Sequence, residues 1–147
     1  MLSVIVVGTD GSDTASEAVR QSIELAARLG ARLEVVSAYE PVAGSRLRVE
    51  AQQAPTDVEW SINPREDVDA NLAAAAVQAE QAGVPVATYA RQGDPADAIL
   101  DVAEETGADL IVVGNKGMTG AKRFLLGSVP NKVSHHAPCS VLIIRTT

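Results

Sequence analysis

Apolar residues along this 147-residue chain fall into short β-branched runs separated by longer stretches with helical spacing. LSVIVVG (2–8) is apolar almost throughout, the pattern of a strand buried on both faces. A helix begins around Ser12 to Thr14, with Thr14 and Glu17 spaced as a capping box. Ala15, Ala18, Val19, Ser22, Ile23 and Ala26 form its inward stripe, and Gly30 ends it. RLEVVSAY (32–39) predicts the second strand. Asn63 and Pro64 read as an N-cap and first helical position. Val68, Leu72, Ala75, Ala76 and Ala79 carry that helix's stripe, and Gly83 stops it. VPVATYAR (84–91) is the third strand. Asp94-Pro95 opens a helix with Ile99, Leu100 and Ala103 inward, closed by Gly107. ADLIVVG (108–114) is the fourth strand. A glycine-containing loop follows, then a short helix from Ser128 to about Ala137, which Pro138 terminates. CSVLIIR (139–145) is the fifth strand.

Strands alternating with helices predict an α/β fold: a single domain over 1–147, built on an open five-stranded parallel sheet with helices on both faces. The working strand order is 3-2-1-4-5. Residues 40–63 are polar and irregular, too long for a tight connection, and read as a lid or a flexible loop. Arg46 and Arg48 could approach a ligand from there, although solvated loop charges are the simpler account. Trp60 could anchor this insert.

Composition adds three limits. Hydrophobic residues make up 46% of the chain and aromatics only 3%, so the core is aliphatic. The net charge of −7 opposes nonspecific nucleic-acid binding but not a small anion in a locally positive loop. The one cysteine, Cys139, permits no intrachain disulfide. No signal peptide is visible, and the longest apolar runs are strand-sized, too short for a bilayer. The expectation is a cytoplasmic protein that engages neither nucleic acid nor membrane.

In an open α/β sheet, ligands bind beyond the carboxyl ends of the strands, at the point where the strand order reverses. With order 3-2-1-4-5 that point lies between strands one and four. GTDGSD (8–13) leaves strand one there, and GNKGMTGAKRFLLGSV (114–129) leaves strand four. In the second loop Gly114, Gly117 and Gly127 follow the spacing G-x2-G-x9-G, with Ser128 next. Gly114 lets a ribose or base pack against bare backbone. Gly117 allows a turn that presents N–H groups. Gly127 and Ser128 open a helix whose first amides and dipole favour an anion. Ser128 can cap that helix or donate to a phosphate. Lys116, Lys122 and Arg123 add positive charge. The chain contains neither G-x4-G-K-[ST] nor a G-x-G-x-x-G after strand one.

From VIVVGTDGSDTASEAV to LLGSVPNKVSHHAPCSVLII, the chain resembles the universal stress protein family. The full G-x2-G-x9-G-[ST] pattern is the mark of that family's ATP-binding branch. The resemblance implies the adenine nucleotide alpha hydrolase type of fold and a nucleotide-responsive stress regulator rather than a fast enzyme. It places Gly8, Thr9 and Asp10 at the nucleotide, with Asp10 near adenine, ribose or a phosphate-bound Mg2+. The residues alone also allow Asp10 a purely local role, an Asx-turn. Ala38 resembles the position whose backbone meets the adenine edge. Val113 and Gly114 flank the adenosine, Lys116 and Gly117 run along the phosphates, and Gly127, Ser128 and Val129 hold them. Pro130 stands where the family often has an N–H to offer. The ligand implied is ATP; cAMP or AMP is the alternative, and slow ATP hydrolysis with Asp10 orienting metal or water is a third reading.

The remaining features carry less. Cys139 reads as a small core residue. His135 and His136 are adjacent near a helix end, where the dipole favours them, and make a poor metal pair. Asp101, Glu104 and Glu105 read as a solvated face. In the working order, strand 139–145 is an edge with no internal proline or charge to blunt pairing, so a homodimer through it is expected. The family resemblance implies the same dimer.

Overall fold

The computed structural model describes residues 2–39, 65–115 and 126–146. The elements run β1 Val4–Gly8, α1 Asp13–Leu29, β2 Arg32–Tyr39, α2 Arg65–Gln81, β3 Val86–Gln92, α3 Pro95–Thr106, β4 Leu110–Gly114, α4 Ser128–His136 and β5 Ser140–Ile144. The strands form one five-stranded parallel sheet in the order β3-β2-β1-β4-β5. This is the order the sequence suggested, with its reversal between β1 and β4. The insert 40–63, with Arg46, Arg48 and Trp60, and the Asn63-Pro64 cap lie outside the described residues.

Alternation along each strand sends side chains to two aliphatic layers. Ile5, Val7, Leu33, Val35, Leu110 and Val112 meet α1 and α2 on one face. Val6, Val36, Ala38, Ile111 and Val113 meet α3 and α4 on the other. The stripes Ala18, Val19, Ser22, Ile23 and Ala26 of α1, and Val68, Leu72, Ala75 and Ala79 of α2, are buried. In α3 the buried stripe is Ala96, Ala98, Ile99, Val102 and Ala103, whereas Leu100 is only half-buried. Cys139 is half-buried against the second layer, and burial raises its thiol pKa.

Strand ends differ from the sequence expectation for identifiable reasons. β1 starts at Val4 because the N–H groups of Ser3 and Val4 donate to Asp109 Oδ2 (2.8 and 3.0 Å) instead of a strand partner. β3 begins after Pro85, which has no N–H for a ladder. The cap of α1 is Ser12, whose Oγ accepts from Ala15 N–H at 3.1 Å. The Thr14–Glu17 capping box does not form. The Glu17 carboxylate is held by Arg20 and Gln21 on the helix surface, which lowers its pKa to about 2.

One buried carboxylate escaped the sequence reading. Glu34, 1% exposed in β2, is paired with Arg32 Nε at 2.6 Å and accepts a hydrogen bond from Tyr89 Oη at 3.0 Å. Burial, and then the bond to Glu34, raise the Tyr89 pKa. On the second strand edge, β5 is covered incompletely: Leu142 and Ile143 are 39% and 37% exposed. Among the described residues no helix is long and apolar enough to cross a membrane.

Candidate functional site

At the carboxyl end of the sheet an open cleft lies where the strand order reverses. Its walls come from five places in the chain. The exit of β1 supplies Gly8, Thr9 and Asp10; β2 supplies Val36 and Ala38; β4 supplies Val113 and Gly114. The starts of α3 and α4 add Pro95, Ile99, Val129 and Pro130. Seven of the residues expected from the sequence therefore converge. Gly127 and Ser128 immediately precede Val129 as N-cap and first residue of α4, just outside the lining. Lys116 and Gly117, like Lys122 and Arg123, lie outside the described residues.

The β1 exit is a turn with local hydrogen bonds. Asp10 Oδ1 accepts from Ser12 N–H at 2.9 Å, and Thr9 Oγ1 accepts from Gly11 N–H at 3.1 Å. Gly11 has a φ of 81°, a conformation that favours glycine, and a Cβ there would sit 2.1 Å from Asn71 Nδ2. Asp10 thus makes the Asx-turn and lines the cleft as well. Its Oδ2 has no partner among the described residues.

Parallel-sheet geometry gives Ala38 its place. The Thr9 N–H donates to the Val36 carbonyl at 2.9 Å, and the Gly93 N–H donates to the Tyr39 carbonyl at 3.0 Å. In a parallel ladder, residues two apart direct N–H and C=O to the same neighbour. The N–H and C=O of Ala38 therefore aim to the β1 side, beyond Gly8–Val36, the last pair of that ladder. A donor and an acceptor at one residue, above an apolar floor of Val36, Val113 and Ile99, suit the edge of a purine base.

The start of α4 differs from expectation. Its N-cap is Gly127, with no side-chain cap, so Ser128 does not cap the helix. The Gly127 N–H, expected to face an anion, instead donates to the Asn115 carbonyl at 3.0 Å. Pro130 has no N–H, and the Asn131 N–H closes the first helical bond on the Gly127 carbonyl at 3.0 Å. Among the described residues, no acceptor takes the amides of Ser128 and Val129 at this helix end. One turn along, Lys132 Nζ bridges from α4 to Asp94 Oδ2 (3.3 Å) and Asp97 Oδ1 (2.9 Å) at the start of α3. Those bonds, Asp97 first, raise the lysine pKa. Two carboxylates already neutralise this charge, so Lys132 ties two cleft walls together and is not a free phosphate ligand.

Sequence reasoning missed Val36, Pro95, Ile99 and Asn115. Pro95 and Ile99 carried a signal: a helix that follows a strand starts at the carboxyl end of the sheet, where ligands bind. Among the described residues no group of three or more His, Cys, Asp or Glu side chains could hold a metal. Among the described residues, Asp10 is the single carboxylate lining the cleft. A magnesium ion arriving here with phosphates could be met by the Asp10 carboxylate.

A doubly wound parallel sheet, its cleft at the order reversal and walled by a glycine-rich strand exit and a helix start, defines the class of protein. The chain belongs to the universal stress protein family, whose model matches residues 1–145. Universal stress protein Rv1636 of Mycobacterium tuberculosis is 37% identical over 144 residues, covering 97% of this chain and 96% of its own. A universal stress protein crystallised in complex with cAMP superposes with a TM-score of 0.74 at 33% identity, covering 99% of this chain and 98% of that one. A family member from Arabidopsis thaliana, solved with AMP bound, has a TM-score of 0.70 at 16% identity, covering 99% and 92%. That last likeness concerns the fold alone.

Proposed function

We propose that the cleft binds an adenine nucleotide, that a single-phosphate nucleotide, cAMP or AMP, suits it best, and that the protein acts as a nucleotide-responsive regulator. The observation carrying this reading is the convergence of the Ala38 donor–acceptor pair, the apolar floor and the start of α4 in one cleft. Adenine offers a complementary edge, an N–H donor beside a ring-nitrogen acceptor. The ribose fits against the bare backbone of Gly114, within reach of Asp10 Oδ2. Two free amides, Ser128 and Val129, match one phosphate. Each such charge at a helix start gains about 0.3–1 kcal/mol from the dipole, before direct hydrogen bonds. The cAMP complex of a 33% identical relative supports the same reading.

ATP is the second reading, favoured by the complete Gly114–Gly117–Gly127–Ser128 pattern and by Lys116, Lys122 and Arg123 within that stretch of sequence. It requires further donors, with Mg2+ offsetting Asp10. Competition calorimetry of cAMP, AMP and ATP, with and without Mg2+, decides between them. Tighter cAMP or AMP supports the single-phosphate site; ATP at least tenfold tighter overturns it. If ATP is turned over, loss of phosphate release in Asp10→Asn with binding intact would support hydrolysis.

A homodimer through β5 belongs to the same proposal. β5 is the sheet edge, with Leu142 and Ile143 more than a third exposed. Leu142 and Ile144 also floor an open groove beside α1, together with Val112 and Leu25. Cytoplasmic location remains part of this reading.

A further inference from the structure

We infer that Asn115 is a positioning residue for the phosphate end of the cleft, and that it acts by tying the segment leaving β5 to the start of α4. This role rests on the nucleotide reading above. Asn115 is the first residue past β4 and is half-buried. Its N–H donates to the Ile144 carbonyl at 2.9 Å, carrying the β4–β5 ladder one step beyond the strand. Its carbonyl accepts the Gly127 N–H at 3.0 Å, which seats the N-cap of α4 on the strand exit. Its Oδ1 accepts from both the Thr146 N–H at 2.9 Å and the Thr146 Oγ1 hydroxyl at 3.0 Å. Three elements thus meet at one residue.

The chemistry follows from peptide geometry. The Asn115 carbonyl belongs to the peptide plane that leaves the strand, and its direction sets where Gly127 sits. The free amides of Ser128 and Val129 follow Gly127 directly, so their distance from Gly114 is fixed through the same bond. The side-chain bonds to Thr146 restrict rotation of Asn115, and with it that plane. Asn115 also spends the Gly127 N–H, so a phosphate meets two amides unless it displaces this bond. Adenine and ribose contacts, at Ala38, Asp10 and Gly114, do not depend on the Thr146 bonds.

The test compares AMP with adenosine, which lacks the phosphate, on the full chain. Asn115→Ala should weaken AMP by about three- to tenfold, the scale of one or two neutral hydrogen bonds, and leave adenosine within about twofold. Thr146→Val keeps the N–H bond, removes only the hydroxyl, and sits beyond β5, so it provides a folded control. It should weaken AMP by about twofold. The double variant should bind AMP no more weakly than Asn115→Ala alone, since both changes break the same tie. Equal losses for AMP and adenosine, additive losses in the double variant, or unchanged AMP affinity would each overturn the role. If the unaltered protein binds neither AMP, cAMP nor ATP, the nucleotide reading falls and this role with it. If the unaltered protein binds and the variants match it, only the role of Asn115 falls.

Discussion

Gly8→Ala probes the packing that shapes the cleft. Gly8 has no positive φ, so alanine can adopt its backbone without strain. The difficulty is space: a Cβ at Gly8 would lie 2.4 Å from Ile99 Cδ1 and 3.0 Å from Ile99 Cγ1. Contacts that short force Ile99 to move. Ile99 is 4% exposed and packs among the buried residues of the second layer, and the space open to it is the cleft it lines. Two effects oppose each other. Removing a glycine stabilises by about 0.4–1 kcal/mol through the unfolded chain. Overpacking costs typically about 1–3 kcal/mol. Overpacking wins, with a net loss of about 1 kcal/mol and a drop in melting temperature of about 2–4 °C for a chain of this size. Nucleotide affinity should fall as well, because Ile99 is pushed into the site. Ile99→Val removes the Cδ1 atom that collides most closely and costs about 0.5–1.5 kcal/mol by itself. In Gly8→Ala/Ile99→Val the two penalties should therefore add to less than their sum, with affinity partly restored. Urea denaturation and calorimetric titration of the four proteins measure both quantities. Unchanged stability and affinity in Gly8→Ala, or strict additivity in the double variant, would refute the close approach of α3 to β1.

Three other outcomes are expected. Ser12→Ala should cost about 1 kcal/mol in urea denaturation, as loss of an N-cap does, whereas Thr14→Ala should cost clearly less; the reverse order would restore the capping box. Asp109 accepts the Ser3 and Val4 N–H groups, which hold its carboxyl below the usual range. A depressed folded pKa contributes stability above the unfolded value, about 3.9, that is lost as pH falls through the folded value. The urea midpoint should therefore drop more steeply below pH 4 in the natural protein than in Asp109→Asn, and matching slopes would exclude this source. Light scattering should give about twice 15.3 kDa, and Ile143→Lys on the β5 edge should shift it toward one chain; a monomer across salt conditions counts against pairing through β5.

Much of the fold was legible because its signals are local. β-branched runs marked the strands, and Gly30 and Gly107 marked two helix ends, where both adopt the left-handed conformation. The strand order came from topology and a family resemblance, not from any residue pattern. Of the seven cleft residues, Gly114 and the GTDGSD turn stood out by their composition at strand exits, whereas Ala38, Val113 and Val129 came from the family resemblance. What could not be read was who takes which hydrogen bond. Ser12, Asp13 and Thr14 can each cap a helix, and only the packing of α1 on the sheet selects Ser12. The Gly127 N–H looked free because its acceptor, the Asn115 carbonyl, is brought to it by tertiary structure. Glu34 carried no signal of its burial, because Arg32 of its own strand and Tyr89 of β3 surround it only once the sheet has formed.

The most direct measurement is an amide nuclear magnetic resonance titration of the labelled protein with AMP. The largest, saturating shifts should fall on Thr9, Asp10, Ala38, Gly114, Ser128 and Val129, with the amides of the groove between α1 and β5 hardly moving. Absence of saturating shifts, or shifts concentrated on α1 and β5, would contradict a nucleotide site at the carboxyl end of the sheet.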